Sequence, residues 1–423
     1  MKINRQRLLD DIERYGQYGK DIMGGITRPS FSKADIEVRK LFTSELEKMG
    51  LTVTIDPIAN IWGKREGHSN ESGSIVIGSH LDTVPNGGKY DGAVGVLIAK
   101  EVIQTLIENK VTLAHDLEIV SFTAEESNDF GLSTLGSKTF AGKLGEEDLN
   151  QVSDSQGVFL RDAVKLAGGE IGELNKLSKA RKEKKAYVEV HIEQGKRLEA
   201  KSLAVGIVED MVGVYRTRVQ VKGEANHSGT TMMDHRFDAL SAASEMILAA
   251  ESICNEDETD LVGTIGQLFV YPNVVNIVPG EVNFVLEIRS ENQWRIDKVI
   301  QLIDNKWNQI VEKRKVRFEK DLMVKQAPLR MDGEIVSILK KTAREMSEPF
   351  IRFPSMAVHD AAHMASISKA CMIFVKSIDG KSHCPEEYST PEDIEKAANL
   401  LLHGIINIDK ILAGKDKPVM IKE

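Results

Sequence analysis

The sequence predicts an α/β protein in which one domain is interrupted by a smaller α+β domain. Over residues 1–211, apolar strands alternate with segments of helical periodicity, as in βαβ units. From residue 212 the order changes to strand, helix, strand, strand, helix, strand, which is typical of a ferredoxin-like domain. After Pro328 the α/β pattern resumes. We therefore predict that 1–211 and 328–423 form one domain and that 212–327 is an insertion.

Two apolar strands in the first part lead to polar side chains. The run 74–78 is followed closely by His80, and the run 117–122 is followed by Glu125 and Glu126. Open α/β sheets bind ligands at the carboxyl ends of their strands. We therefore expect these side chains to lie at a functional site.

A helix and a further strand are predicted in the same part. Apolar residues within 94–106 recur at helical spacing. In the strand 187–193, alternation places Glu189, His191 and Glu193 on the face opposite the apolar residues. Taken alone, His191 is explained equally well as a metal ligand or as a hydrogen-bonded histidine at a sheet edge.

The insertion and the last part have equally clear periodicity. The insertion is predicted to contain strands at 214–221, 261–270, 282–288 and 316–324 and helices at 236–250 and 294–311. The last part is predicted to contain a helix at 334–346, a strand at 371–375 and a helix at 391–412. His383 follows that strand in a turn-rich loop, a common position for a ligand.

Composition limits the classes of protein to consider. The 423 residues are 41% hydrophobic, which is enough for domain cores, and no apolar run approaches the length of a membrane span. The N-terminus lacks the apolar region of a signal peptide, so we expect a cytoplasmic protein without membrane association. The net charge is −9, and the largest basic cluster, at 179–185, is expected to be solvated, which argues against nucleic acid as a partner. The cysteines lack Cys-x-x-Cys spacing, so neither a disulfide framework nor a thiolate zinc site is indicated.

Histidine and carboxylate residues recur in a pattern suited to metal binding. His80 is followed by Asp82, which shares its strand face, and then by Asp91. A ligating histidine usually donates its second ring N–H to a neighbouring acceptor such as a carboxylate, and we expect Asp82 to orient His80 in this way. Each feature alone is common on solvated surfaces. Together with Glu125 and Glu126 they are typical of half of a two-metal hydrolase site.

Several motifs resemble those of the M20-type metallohydrolases, in particular their hydantoinase/carbamoylase branch. This branch contains N-carbamoyl-L-amino-acid hydrolases, ureidopropionases and allantoate amidohydrolases. The resemblance spans nearly the whole chain, and the motifs His-Ile-Glu-Gln-Gly at 191–195 and Asn-His-Ser-Gly-Thr-Thr at 226–231 are specific to the branch. The other matching segments are 78–85, 89–92, 125–127, 276–280, 359–361 and 382–383.

The resemblance implies a two-metal hydrolase domain, a mixed sheet flanked by helices, interrupted by a ferredoxin-like α+β lid and dimerisation domain. It implies that Asp91 bridges two divalent ions, either zinc, manganese or cobalt. His80 and His191 would complete the ligand set of one ion. Glu126 and His383 would complete that of the other.

The resemblance also implies residues that contact the substrate. Arg289 matches the residue that binds the substrate carboxylate. His227 and Asn276 resemble the residues that polarise the scissile carbonyl, and in family members the histidine comes from the opposite subunit of a homodimer. Gln194 and Arg216 are further candidates for substrate contact.

The implied reaction is metal-dependent hydrolysis of a linear C–N bond with release of ammonia. The substrate would be an N-carbamoyl-L-amino acid or a related ureido acid, such as allantoate or N-carbamoyl-β-alanine, and Glu125 matches the family's general base. The alternatives are an M20-type aminoacylase or dipeptidase and a non-catalytic binding protein on the same scaffold. Met356 and Val358 replace the usual glycines and Met232 replaces the usual proline, so we expect a pocket altered near the α-carbon substituent.

Overall fold

The computed structural model describes residues 1–68, 73–257 and 259–414, which form two compact units. The first unit comprises the described parts of 1–209, 331–353 and 358–423, and the second those of 210–330 with 354–357. Residues 415–423 of the predicted segment 328–423 lie outside the described residues. The short segment 354–357 belongs to the second unit although the α/β pattern has already resumed before it.

The elements follow the order expected for an α/β chain with an α+β insertion. The strands are β1 (Thr52–Ile55), β2 (Ile61–Arg65), β3 (Ser74–His80), β4 (Asp116–Phe122), β5 (Lys184–Ile192), β6 (Val205–Met211), β7 (Gly213–Lys222), β8 (Asn226–His227), β9 (Val262–Tyr271), β10 (Ile277–Val278), β11 (Glu281–Ser290), β12 (Arg317–Gln326), β13 (Leu329–Arg330), β14 (Phe350–Ser355) and β15 (Lys369–Val375). The helices are α1 (Arg5–Tyr15), α2 (Lys33–Lys48), α3 (Ala93–Glu108), α4 (Leu135–Phe140), α5 (Glu146–Leu149), α6 (Leu160–Leu166), α7 (Leu177–Lys182), α8 (Arg197–Ala200), α9 (Ala239–Asn255), α10 (Gln293–Arg314), α11 (Gly333–Glu345), α12 (Ala361–Met364) and α13 (Pro391–Leu412). Within the described part of the chain, we find no helix with the length and apolar character needed to cross a membrane.

The first unit is built on one mixed sheet, in which the strand order is β1-β2-β4-β3-β5-β15-β6. Strand β3 pairs in parallel with β4 and β5, and β15 pairs in parallel with β5. The β1–β2, β2–β4 and β15–β6 pairs are antiparallel. Because β3, β4 and β5 are parallel, their carboxyl ends lie at the same edge of the sheet.

Burial on both faces explains why the central strands have nearly continuous apolar sequences. Every residue of β3 is buried, and so is nearly every residue of β4. Helix α3 packs against β3 and is buried on almost all sides, as expected of a helix that is apolar around most of its circumference. The predicted fold class, a mixed sheet flanked by helices, is confirmed.

The second unit contains a four-stranded antiparallel sheet, and its strand order β12-β7-β11-β9 follows the predicted βαββαβ pattern. Buried and half-buried residues alternate along β11. The buried residues, including Phe284 and Ile288, form a core with side chains of α9 and α10. Arg289 lies on the opposite face of the strand.

One helix boundary and the solvation of one basic segment differ from the prediction. Helix α9 begins at Ala239 instead of residue 236, because the Asp238 side chain accepts hydrogen bonds from the first backbone N–H groups of the helix. The basic cluster 179–185 is not solvated throughout, because Lys184 is the first residue of β5 and is buried. Its Nζ lies 2.6 Å from Glu118 Oε2, and this ion pair compensates for the loss of water.

Trp307 anchors the core of the second unit. Its Nε1 donates a hydrogen bond to the Met246 carbonyl oxygen at 2.8 Å, and its ring packs edge-on against Phe284 and Phe318. We expect Trp307→Ala to lower the free energy of unfolding by about 3–5 kcal/mol, because it leaves a large cavity. Denaturant titration followed by circular dichroism measures this. Trp294→Ala is the matched control, since Trp294 lies in the same helix but is 61% exposed, and an equal effect of the two substitutions would contradict the prediction.

Candidate metal centre and active site

The parallel strands of the first unit bring histidine and glutamate side chains to one sheet edge. His80 is the last residue of β3, and His191 is the penultimate residue of β5. Glu125 and Glu126 follow β4 after Ala124, whose backbone is left-handed with φ of 54°. His80 and His191 are each only 1% exposed, so their ring nitrogens need partners other than bulk water.

Asp91 approaches these histidines from the turn before α3. His191 Nε2 lies 3.0 Å from Asp91 Oδ1, and His80 Nε2 lies 3.8 Å from the same oxygen. The ligand atoms of these three residues are within 4.8 Å of one another. Gly92 permits this approach, because its φ is 61° and a Cβ atom there would lie 2.3 Å from the His80 ring.

Backbone carbonyl groups orient both imidazole rings. His80 Nδ1 lies 3.0 Å from the Asp82 carbonyl oxygen, and His191 Nδ1 lies 2.9 Å from the Ile192 carbonyl oxygen. Each Nδ1 therefore donates, and in the neutral ring Nε2 carries the lone pair. Neither Nε2 has a hydrogen-bond partner among the described residues, although both lie near the Asp91 carboxylate. A cation bound between these lone pairs and the carboxylate would be stabilised by both, so this donor set fits a divalent metal ion.

The Asp82 carboxylate does not have the role that we expected from the sequence. Its Oδ1 lies 3.6 Å from His80 Nδ1, which is farther away than the Asp82 carbonyl oxygen. The carboxylate instead accepts hydrogen bonds from the backbone N–H groups of Glu125 at 3.3 Å and Glu126 at 3.1 Å, and from Ser30 Oγ at 2.8 Å. Asp82 thus orients His80 through its backbone and holds the segment with both glutamates through its side chain.

A second group of ligand-type side chains shares Asp91. His383 Nε2 lies 3.2 Å from Asp91 Oδ2 and 3.2 Å from Glu126 Oε1. Hydrogen bonds to Asp91 and Glu126 raise the pKa of His383 to about 10, against the opposing effect of burial. Burial would raise the pKa of Asp91, but His191 and His383 hold it well below its usual range. One carboxylate therefore faces two histidine-containing groups, one through each oxygen.

Glu125 is a buried carboxyl beside the first of these groups. Its Oε2 lies 3.7 Å from His80 Nε2. Burial raises the pKa of Glu125 well above its usual range; His80 opposes the shift, and Glu126 and Asp360 add to it. A carboxyl whose pKa is raised in this way is suited to taking up a proton and releasing it again.

Three further side chains form hydrogen bonds to the side chain or the backbone of Asp91. Gln194 Nε2 donates a hydrogen bond to Asp91 Oδ2 at 2.8 Å, so this predicted substrate contact lies against a candidate ligand. Ser382 Oγ lies 3.0 Å from the same oxygen. Glu387, which we did not identify from the sequence, accepts hydrogen bonds from the Tyr90 and Asp91 N–H groups, both at 3.0 Å. Burial, with the charge of Asp91, raises the pKa of Glu387 to about 7.

A layer of buried polar residues lies beneath the ligands, and the sequence analysis assigned no role to them. Glu189 accepts a hydrogen bond from the Ala361 N–H at 2.9 Å, and it lies close to both His191 and His359. Burial raises the pKa of Glu189, and burial together with Glu189 raises that of Asp360 well above its usual range. Strand alternation places Glu189 on the same face as His191, and this was the one feature of the sequence that could have indicated its position near the ligands. Nothing local in the sequence marks Asp360 as buried.

In the second unit, the predicted carboxylate-binding arginine is part of an Arg–Glu–Arg group. Glu287 Oε1 accepts a hydrogen bond from Arg289 Nε at 2.7 Å, and Oε2 accepts one from Arg216 Nε at 2.7 Å. Arg289 Nη1 donates to the Met356 carbonyl oxygen at 2.7 Å. Two guanidinium groups and one carboxylate leave a net positive charge. Met356, one of the departures from the family pattern, thus contacts Arg289 through its backbone.

His227 and Asn276 lie in a small exposed arm of the second unit, where β8 pairs with β10. The Ser228 N–H donates to the Asn276 carbonyl oxygen at 3.0 Å. His227 Nδ1 accepts hydrogen bonds from the Gly229 and Thr230 N–H groups at 3.1 and 3.2 Å. The ring hydrogen of neutral His227 is therefore on Nε2, where it can be donated.

Known proteins match this chain along most of its length. Residues 76–407 match the model of peptidase family M20/M25/M40. The N-carbamoyl-L-amino acid amidohydrolase of Geobacillus stearothermophilus is 36% identical over 403 residues, which cover 95% of this chain and 98% of that protein. The allantoate amidohydrolase of Bacillus subtilis is 35% identical over 393 residues, covering 92% of this chain and 94% of that protein. A crystal structure of an amidase of the hydantoinase/carbamoylase family from Burkholderia multivorans superposes with a TM-score of 0.88 at 28% identity and covers 99% of both chains.

The family match includes every candidate ligand, from His80 to His383. The two relatives also cover both units, so the similarity is not confined to one motif. The chain therefore belongs to the M20/M25/M40 peptidase family and, within it, to the hydantoinase/carbamoylase branch of amide-bond hydrolases.

Proposed function

We propose that the protein hydrolyses the linear C–N bond of an N-carbamoyl-L-amino acid or a related ureido acid, such as allantoate or N-carbamoyl-β-alanine, and releases ammonia. The proposal depends mainly on one observation. The Asp91 carboxylate belongs both to the group with His80 and His191 and to the group with Glu126 and His383, and the buried Glu125 carboxyl lies beside the first group. Relatives that match almost the whole chain are an N-carbamoyl-L-amino acid amidohydrolase and an allantoate amidohydrolase.

Two divalent ions per subunit are part of this proposal. His80 and His191 would bind one ion with Asp91, and Glu126 and His383 would bind the other with the same carboxylate. Nitrogen and oxygen donors without a thiolate suit zinc, manganese or cobalt. Such ions, when bound, lower the pKa of water towards about 7 and polarise a carbonyl oxygen.

Glu125 is proposed as the general base. Because burial raises its pKa, a proton taken from the attacking water can stay on the carboxyl without a large energetic penalty. Glu125 can then transfer this proton to the leaving nitrogen, which departs from the ureido group as ammonia. The carbon retains the oxygen of water, and the second C–N bond of the ureido group stays intact in this step.

His227 is proposed to donate a hydrogen bond to the scissile carbonyl oxygen. Its Nε2 carries the ring hydrogen because two backbone N–H groups occupy Nδ1. The side chain is exposed in the single chain. We infer that His227 acts in the site of the opposite subunit of a homodimer, with Asn276 as a second polar group.

Arg289 is proposed to bind the carboxylate of the substrate. Its Nε donates to Glu287 and one hydrogen of Nη1 donates to the Met356 carbonyl oxygen, so within the described part of the chain Nη2 and the second hydrogen of Nη1 remain for another acceptor. With Arg216 on the other side of Glu287, the group has a net charge that matches a single carboxylate. The net positive charge of this group therefore favours a substrate that carries a carboxylate.

Metal-reconstituted protein should release ammonia from at least one member of a panel of carbamoyl-L-amino acids, carbamoyl-β-alanine, ureidoglycolate and allantoate. Acetyl-amino acids and dipeptides are assayed beside them for free amine. Amine release from acyl or peptide substrates alone would contradict the proposal and indicate the aminoacylase or dipeptidase alternative. Bound metal without turnover of any substrate would indicate a binding protein.

Glu125→Gln should lower kcat by at least about 100-fold and leave the metal content unchanged, because it removes a proton acceptor and no candidate ligand. His80→Ala should lower both the metal content and kcat, because it removes a ligand. Elemental analysis and the ammonia assay measure the two quantities on the same samples. Normal turnover by metal-loaded Glu125→Gln protein would exclude the general-base role.

Mixed dimers test the proposed position of His227. The Glu125→Gln and His227→Ala proteins should each have low activity. For His227→Ala, we expect kcat to be about 10²- to 10³-fold lower than that of the original protein. If His227 acts across the dimer, subunit exchange between them creates one site with both Glu125 and His227, and activity should recover. If both residues act within one subunit, every site in the mixed dimer lacks one of them. Absence of recovery in verified heterodimers would therefore exclude the inference.

A further inference from the structure

Glu387 is a buried carboxylate directly behind Asp91 that is not itself a candidate ligand. It is 4% exposed. Its Oε1 accepts hydrogen bonds from the backbone N–H groups of Tyr90 and Asp91, both at 3.0 Å. Its Oε2 lies 3.1 Å from Ser382 Oγ. The carboxylate thus contacts the backbone of one loop and a side chain of another.

Ser382 extends this contact to the functional oxygen of Asp91. Its Oγ lies 3.0 Å from Asp91 Oδ2, the oxygen that faces His383 and Glu126. Glu387 therefore holds Asp91 directly through its backbone N–H, and it also lies against the serine hydroxyl, whose single hydrogen can be donated to Asp91 Oδ2. The first contact fixes the position of the Asp91 backbone, and the second keeps the hydroxyl within hydrogen-bonding distance of the Asp91 side chain.

The packing around Glu387 leaves little freedom for this arrangement. A Cβ atom on Gly88 would lie 2.1 Å from Glu387 Oε1, so the Asp91 loop passes directly over the carboxylate. Glu387 and Ser382 both lie in the loop between β15 and α13, which also carries His383. The loop with the shared carboxylate and the loop with a histidine of the second group are thereby joined.

We propose that Glu387 is a positioning residue that, together with Ser382, fixes Asp91 as the ligand shared by the two ions. The inference rests on the proposed metal-binding role of Asp91. Glu387 is not a member of either ligand group that contains Asp91, and it acts on Asp91 through hydrogen bonds. Groups that orient metal ligands from behind commonly change metal affinity by about 10- to 100-fold when removed.

A role in metal positioning differs measurably from a role in stability alone. A carboxylate that only held two loops together would alter the unfolding transition and leave the metal affinity of the folded protein unchanged. The measurement that separates the two roles is the Zn²⁺ affinity of the full chain, determined by chelator competition in the absence of substrate. Thermal unfolding of the metal-free proteins would report the effect on stability.

Glu387→Ala should weaken Zn²⁺ binding by about 10- to 100-fold and lower kcat more than it changes KM. Glu387→Gln should bind Zn²⁺ nearly as well as the original protein, because its amide oxygen can accept both N–H groups and its amide nitrogen can donate to Ser382. Glu386→Ala is the matched control, since this neighbouring glutamate is exposed. Ser382→Ala should weaken binding too, and less so when Glu387→Ala is already present.

Two results would overturn the inference. The first is a Zn²⁺ affinity of Glu387→Ala equal to that of Glu386→Ala. The second is Glu387→Gln binding as weakly as Glu387→Ala, since charge and not hydrogen bonding would then be the cause. If Glu387→Ala does not fold, the Ser382→Ala variant tests the inference in its place. An unchanged Zn²⁺ affinity of Ser382→Ala would then overturn the inference. Failure of the original protein to bind Zn²⁺ would instead count against the proposed function.

Discussion

The Asp91 carboxylate holds a negative charge where bulk water barely reaches, and much of the surrounding structure compensates for it. The residue is 4% exposed, yet its pKa stays well below the usual range, since histidines lie at both oxygens. Burial lowers the pKa values of these histidines, but nearby carboxylates, Glu125 at His80 and Asp91 at the other two, raise them above the usual range. The carboxylates thus favour positive charge at the imidazole nitrogens, and a divalent cation bound there would supply that charge. The sheet, the turn at Gly92 and the loop containing His383 are the means by which the chain assembles this cluster.

The mixed sheet supplies precision because its central strands are covered on both faces. Strands β3 and β5 are buried along nearly their whole length, so the side chains at their ends have few alternative rotamers. Carbonyl oxygens at the strand ends set the tautomers of His80 and His191, and the Asp82 carboxylate fixes the segment after β4. Glu189, in the layer beneath the ligands, accepts a hydrogen bond from the backbone N–H of Ala361. The ligand positions are thus determined mainly by main-chain geometry.

The second unit presents different chemistry. His227 is exposed, but two backbone N–H groups determine which ring nitrogen carries its hydrogen. Glu287 holds Arg216 and Arg289 in one group and cancels half of their charge. These side chains are therefore organised within their own unit, by contacts that do not depend on the metal cluster. Such an arrangement suits groups that recognise a substrate, whereas the buried cluster of the first unit suits groups that act on the reacting bond.

The sequence by itself determined the elements and most of the candidate ligands of this protein, because both depend on local pattern. Periodicity predicted β3, β11, α10 and α13 to within a few residues, and motifs identified Asp91 and its histidines. Tertiary structure decided what depends on long-range contact. Glu387 meets Asp91 across 296 residues of sequence, and Lys184 is buried because β5 lies inside the sheet. The carbonyl oxygen of Asp82 orients His80, while its carboxylate binds a segment that follows another strand. Residue spacing does not indicate which distant backbone groups a side chain will contact, because the distances between segments far apart in the sequence are fixed only when the sheet forms.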